Sequence, residues 1–153
     1  DSFCNHIYYY LFSGAGMILE ALTCMALNIY HEARNQPSIG QIAVGQVVMN
    51  RVSDTRFPND VCGVIKEGIH TKSGHPIRNK CHFSWYCDGK SDNPTDDVAF
   101  DYALEMAEIV LRGHTEGHVD GATHYHTTDV SPSWASHKRF IVRINDHLFY
   151  RWD

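Results

Sequence analysis

The chain has 153 residues, 43% of them hydrophobic and 20% charged, with a formal net charge of −5. That length suits one domain able to bury a core, and the composition excludes a disordered chain. The acidic balance, with no Lys/Arg run longer than Lys138-Arg139, excludes the electrostatic footprint of a nucleic-acid binder, and no stretch reaches the ~18 apolar residues of a membrane span.

The opening segment DSFCNHIYYYLFSGAG is aromatic-rich and has no basic n-region, so it does not read as a signal peptide. Met17 follows the small residues Ser13 to Gly16, and residues 1–16 are read as added by cloning or otherwise outside the working domain. From Ile18 to Ala33, Leu22, Met25, Ala26, Ile29 and Tyr30 recur at three- and four-residue intervals and predict an amphipathic helix with Glu32 in its last turn. Asn35 to Ser38 breaks it, with Pro37 disfavouring an α conformation at Gln36 and Ser38 available as the next N-cap. A second helix from about Ile39 to Val52 is dense in valine and must be buried on a broad face.

Asp60 to Glu67 reads as a short helix capped by Asn59 or Asp60, and Gly68 to Pro94 as a loop or short hairpin. A third long helix is predicted from Thr95 to about Arg112, with Thr95 as N-cap, Asp96 and Asp97 in the first turn and Gly113 closing it. Ala122 to Thr127, Phe140 to Asn145 and Leu148 to Arg151 are short β-prone runs, the last two separated by an Asn145-Asp146 turn. The predicted fold is α+β: a mainly helical first two-thirds and a small antiparallel β-sheet from the C-terminal third.

Five cysteines stand at 4, 24, 62, 81 and 87 without a CxxC pair. Cys24, within an apolar helical pattern, is expected to be a buried free thiol. Cys62 is expected to pair with Cys81 or Cys87 in a non-reducing compartment.

Three groups of residues carry chemistry. Glu32, at a helix end beside an apolar stripe, is placed where burial and the unfavourable helix dipole both raise a carboxyl pKa towards general-acid range; a solvated Glu is the bland reading. The segment from Cys81 to Gly89 gathers Phe83, Ser84, Trp85 and Asp88, able to wall a sugar cleft by stacking and hydrogen bonding, or else to be a tied loop with core anchors. In Gly121 to His126, strand alternation puts His124 and His126 on one face. Contacts to substrate, or one satisfied core His beside an exposed one, are expected before a zinc pair completed by His31 or Glu32, which no HExxH motif supports. No metal or cofactor is assigned.

Taken together, Ala26 to Arg34, Gln41 to Val52, the HFSWYCDG loop and GATHYH resemble, in this order, the SleB/CwlJ-type cell wall hydrolases, a family of spore cortex-lytic enzymes and phage endolysins. The resemblance spans Leu22 to Arg151. It implies a compact lysozyme-like α+β catalytic domain, residues 17–153, with Glu32 as the essential acid and Phe83, Ser84, Trp85, His124, Tyr125 and His126 as candidate substrate contacts, to which the residues themselves add Tyr30 and Asp88. Two positions depart from the family: the frequent EARGE reads Glu32-Ala33-Arg34-Asn35-Gln36 here, and His82 stands where Gln is more usual.

With no second acid in that segment, the expected reaction is a lytic transglycosylase cut at the MurNAc-GlcNAc bond by one Glu. Two-carboxylate hydrolysis, using Asp88 or Asp129, is second. A zinc-dependent muramoyl-alanine amidase built on His31, Glu32, His124 and His126, and a non-catalytic peptidoglycan-binding module, are the rivals. The expected partner is the peptidoglycan glycan strand, bound by a monomer acting on the wall from the periplasm, the exterior, or after host lysis.

Overall fold

The computed structural model describes residues 14–114 and 119–153. Helix α1 (Gly14–Ala33) buries Met25, Ala26, Ile29 and Tyr30, the stripe its periodicity requires. Helix α2 (Ser38–Val52) starts one residue earlier than expected: Pro37 takes the N-cap position without a side-chain hydrogen bond, and Ser38 is already helical. Proline needs no N–H there, so the break and the new helix share one residue. At Gly45 an added Cβ would lie 2.8 Å from Val110 Cγ2, so α2 approaches its neighbour more closely than any larger residue permits.

Helix α3 (Val61–Ile65) is shorter than Asp60 to Glu67, because Asp60 is the cap, its Oδ1 accepting from Gly63 N at 2.7 Å, and the chain leaves the helix at Lys66. Glu67 therefore stands in the connection to strand β1 (Gly68–His70), which pairs with β2 (Pro76–Cys81) as a hairpin inside the predicted loop. A 3-10 turn at Ser84–Cys87 follows. Helix α4 (Asp97–Leu111) is capped by Asp96, which accepts from Ala99 N at 3.0 Å, and not by Thr95. Thr95 N and Asp96 N both donate to Tyr30 Oη at 3.2 Å, which fixes the chain one residue too early for Thr95 to cap.

Strands β3 (His124–Thr127), β4 (Arg139–Ile144) and β5 (His147–Arg151) form an antiparallel sheet in the order β3-β5-β4. A second 3-10 turn, Ser133–His137, was not foreshadowed by pattern. The Asn145-Asp146 turn, with Asn145 at φ 50°, is clamped by Gln36. Gln36 Nε2 donates to Asp146 Oδ2 at 3.0 Å, and its Oε1 accepts from Asn145 Nδ2 at 2.9 Å and from Asp146 N at 3.3 Å. The architecture is thus α+β, a mainly helical first two-thirds interrupted by the β1–β2 hairpin and a three-stranded sheet from the C-terminal third.

Two apolar cores result. One joins α1, α3 and α4 through Met25, Ile29, Val64, Ile65, Met106 and Val110, with Phe83 inserted; the other joins α2 to the sheet through Val44, Val47, Ile144 and Phe149. Tyr125 packs against both, at their seam.

The cysteine expectations are corrected. Cys24 is bonded to Cys62, 38 residues away with Cα atoms 5.4 Å apart, and Cys81 to Cys87, with Cα atoms 6.1 Å apart. Cys24 lies at the edge of the α1 stripe where α3 packs, so a position that reads as apolar filling meets a partner in space. Cys4 and most of the 1–16 segment lie outside the described residues; α1 already begins at Gly14, with Met17 in its first turn.

Candidate active site

Glu32 ends α1 at the seam. The residue keeps part of its surface, yet its carboxyl is surrounded by protein. Burial pushes its pKa from the ordinary 4.5 up to about 7, against the opposing pull of the Tyr125 hydroxyl and the Arg51 guanidinium. Of the two effects expected to raise it, burial is the leading cause here. The Tyr125 hydroxyl acts on this carboxyl without completing a hydrogen bond of ordinary geometry, and burial first, then the Glu32 charge, drives its own pKa well above 10. It stays a neutral phenol.

Arg51, from the last turn of α2, is 7% exposed. Its Nε donates to Thr123 O at 2.7 Å, and its guanidinium lies 5.0 Å from the Phe57 ring centre and 5.3 Å from that of Phe83. Burial pushes its pKa down, opposed by Tyr125, Glu67 and Glu32. Neither Arg51 nor Glu67 was singled out from sequence. The available signal was an Arg amid a valine-rich helix, where an unpaired charge is untenable.

The two carboxylates suggested as partners for Glu32 lie elsewhere. Asp88 Oδ1 accepts from Lys90 N at 2.8 Å in the turn after the 3-10 segment, and exposed Asp129 is engaged by Thr127 Oγ1. Neither is among the groups acting on the Glu32 carboxyl.

The loop residues divide between surface and core. Phe83 is 4% exposed and lies under Arg51, so it shapes the site through that side chain. Tyr30 is likewise buried and spends its hydroxyl on the start of α4. Ser84 is exposed. Trp85 is half-buried beside the acid's helix, its Nε1 donating to Asn28 Oδ1 at 2.9 Å and its ring stacked on His31 at 4.6 Å. His31 Nε2 bonds Asp92 O at 2.9 Å, which ties the loop down again. The Cys81–Cys87 bridge closes the ring carrying these residues.

Strand alternation separates Tyr125, directed at the seam, from His124 and His126, which share the other face with Trp134. His124 is held neutral, its pKa pushed down to about 3 by burial and then by the Arg51, Lys138, His82 and Arg56 charges. His126 Nδ1 donates to Thr127 O at 2.8 Å, leaving Nε2 to accept from Tyr150 Oη at 2.9 Å. Trp134, missed in sequence although a Trp in a polar loop is seldom idle, completes an aromatic surface with half-exposed Phe140 and Trp152. Among the described residues no three His, Cys, Asp or Glu side chains converge on a position that would hold a metal ion. His31, Glu32, His124 and His126 are thus not gathered into one set.

One carboxyl able to carry its proton at neutral pH, reachable from solvent and flanked by a phenol and a guanidinium, is equipped to protonate a leaving oxygen and take a proton back. A separate pocket of about 380 Å³, lined by Asn50, Arg56, Arg151 and Trp152 among others, does not include it.

Known proteins resemble this chain in sequence and in fold. The chain is 32% identical over 136 residues to a spore cortex-lytic enzyme of Halalkalibacterium halodurans, covering 88% of this chain and 36% of that protein. To the spore cortex-lytic enzyme of Bacillus subtilis it is 29% identical over 126 residues, covering 82% and 35%. It thus spans about a third of the length of these curated relatives. The catalytic domain of the germination-specific lytic transglycosylase SleB from Bacillus anthracis superposes with a TM-score of 0.62 at 27% identity, over 86% of this chain and 93% of that one. The catalytic domain of the Bacillus cereus SleB protein gives 0.60 at 27% identity, over 86% and 89%. The cell wall hydrolase family model matches residues 35–150, beginning just past Glu32. A match over most of the chain, with relatives and fold in agreement, means that this chain belongs to the cell wall hydrolase family.

Proposed function

We propose that the chain is a peptidoglycan lytic transglycosylase in which Glu32 is the single catalytic acid and base. Glu32 protonates the glycosidic oxygen between N-acetylmuramic acid and N-acetylglucosamine, and the C1–O bond breaks. The carboxylate so formed takes the proton of the muramic C6 hydroxyl as that oxygen bonds to C1, giving a 1,6-anhydro sugar, consuming no water and restoring the acid. The observation that carries this reading is the Glu32 carboxyl poised at about 7 by burial, beside a neutral tyrosine hydroxyl and a fixed positive charge. The SleB domain that this fold matches is itself described as a lytic transglycosylase.

Ser84, Trp85, Tyr125, His124 and His126 are the substrate contacts in this proposal, with the Trp134 surface extending them; Asp88 serves the turn beyond Trp85, and Tyr30 and Phe83 support the frame. One copy supplies every residue, so a monomer suffices. Both disulfides suit action on the wall beyond the reducing cytosol. Hydrolysis is the second reading, favoured by Glu67, the acidic residue besides Glu32 acting on Arg51.

Purified peptidoglycan digested with EDTA present, by wild type and by Glu32→Gln, tests this by mass spectrometry of soluble products. Anhydro-muropeptides from wild type, with at least about a hundredfold loss in the variant, are expected. Reducing ends would mean hydrolysis, and free stem peptides would overturn glycan cleavage.

A further inference from the structure

The indole of Trp85 is fixed from the same stretch of α1 that carries the acid. Its Nε1 donates to Asn28 Oδ1 at 2.9 Å, and its ring stacks on His31 with centres 4.6 Å apart and planes 16° from parallel. His31 is restrained in turn, its Nε2 bonded to Asp92 O at 2.9 Å. Asn28 precedes Glu32 by four residues, which places the two on one side of the helix, a turn apart. Trp85 keeps part of its surface open to solvent.

Asn28 is the unfavourable member of this arrangement. It is 0% exposed, in a stretch of α1 whose neighbours Met25, Ala26, Ile29 and Tyr30 fill the apolar core. An indole N–H only donates, so the amide oxygen must face Trp85 and the amide nitrogen is turned elsewhere. That Nδ2 is buried and has no hydrogen-bond partner among the described residues. A buried donor left unbonded destabilises the fold, and leucine, of similar size and better suited to a helix, would avoid the penalty. The amide supplies what leucine cannot, an acceptor that sets the angle of Trp85.

We propose that Asn28 is a positioning residue for substrate: it holds the Trp85 indole in advance as a platform on which a sugar ring of the glycan strand stacks beside Glu32. A ring whose orientation is fixed before the ligand arrives loses little freedom on binding, so the bond acts on affinity and not on the chemical step. The inference rests on the proposed function, in which Trp85 touches the glycan.

The test compares Asn28→Leu, Asn28→Ala, Trp85→Phe and the Asn28→Leu/Trp85→Phe double variant with wild type on soluble, uncross-linked glycan strands prepared from peptidoglycan. Leucine and alanine differ in packing and share the loss of the acceptor. Each should raise KM about fivefold, as expected for one lost hydrogen bond, with kcat within about twofold of wild type. In the Trp85→Phe background, which has no N–H to hold, Asn28→Leu should change KM by less than about twofold. Equal factors in the two backgrounds, or a fall in kcat at unchanged KM, would overturn the proposal. So would an unchanged KM with a lower urea midpoint, which would make Asn28 merely structural. A readout without substrate is the indole N–H resonance of Trp85, identified among the three tryptophans by its loss in Trp85→Phe. In both Asn28 variants it should move upfield and exchange faster with water; an unmoved resonance overturns the proposal whatever the kinetics. The reading beneath it fails separately. Free stem peptides as products would remove glycan cleavage, and the sugar platform with it, even where the resonance moves, whereas reducing ends would change the reaction and leave the KM comparison decisive.

Discussion

Glu32→Gln should make the protein more stable above neutral pH while abolishing its proposed chemistry. The carboxyl titrates at about 7 when folded against an ordinary 4.5, so between these values the native state holds a proton that the unfolded chain has released. Stability then falls as pH rises, because the state binding fewer protons gains. Below pH 4.5 both states are protonated and the penalty is absent; above 7 it is complete. At about 1.4 kcal/mol per pH unit the full penalty has an upper bound of about 3.5 kcal/mol, reduced by the exposure that the residue keeps. Glutamine matches the protonated side chain in shape and carries no charge. Urea unfolding of both proteins at several pH values from 4 to 9, disulfides intact, reads the difference as a shift in midpoint. The midpoints should coincide near pH 4 and diverge in favour of glutamine through pH 5 to 7. A constant difference at all pH values, or a variant less stable at pH 8, would refute the assignment of a buried, proton-holding carboxyl.

Tyr125→Phe removes the hydroxyl that lowers the Glu32 pKa, so the descending limb of the pH–activity profile should move upward by less than about one pH unit; stability should change by under about 1 kcal/mol, since that hydroxyl has no completed hydrogen bond to lose. A downward shift would contradict the direction assigned to it. Replacing Cys24 and Cys62 by Ser should cost about 4 kcal/mol and replacing Cys81 and Cys87 about 2, from loops spanning 38 and 6 residues, as measured by urea unfolding. The second pair should lose more activity than stability, because its ring carries Trp85.

The three long helices are legible in the sequence because each buries a continuous stripe, and a stripe is a local property: Met25, Ile29 and Val47 declare their faces within a few residues. The stripe marks Glu32 only as a carboxyl at its end, which a solvated Glu also fits; the resemblance to the family singles it out. Glu67 is marked by neither. It reads as the tail of a short helix, and its significance arises from Arg51, sixteen residues earlier and across a turn that no periodicity describes. The Cys24–Cys62 bond has the same character, since a thiol on an apolar face looks like filling until the neighbouring helix is in place. Phe83 and Trp85 show the converse: the loop was recognisable as aromatic, but which ring is buried depends on Arg51 needing a face to lie on and Asn28 needing a donor.

The clamp made by Gln36 joins two parts of the molecule that have no local reason to know of each other. Pairing along β5 fixes the face on which each residue of β3 emerges, and a slip of one residue would turn Tyr125 outward and bring a histidine inward. The turn that sets the neighbouring β4–β5 register is held by the residue four positions after the acid. β5 is the strand common to both registers, so the stretch of chain that follows Glu32 holds the strand against which Tyr125 is aligned, and the setting of the candidate acid and the setting of the sheet share one anchor.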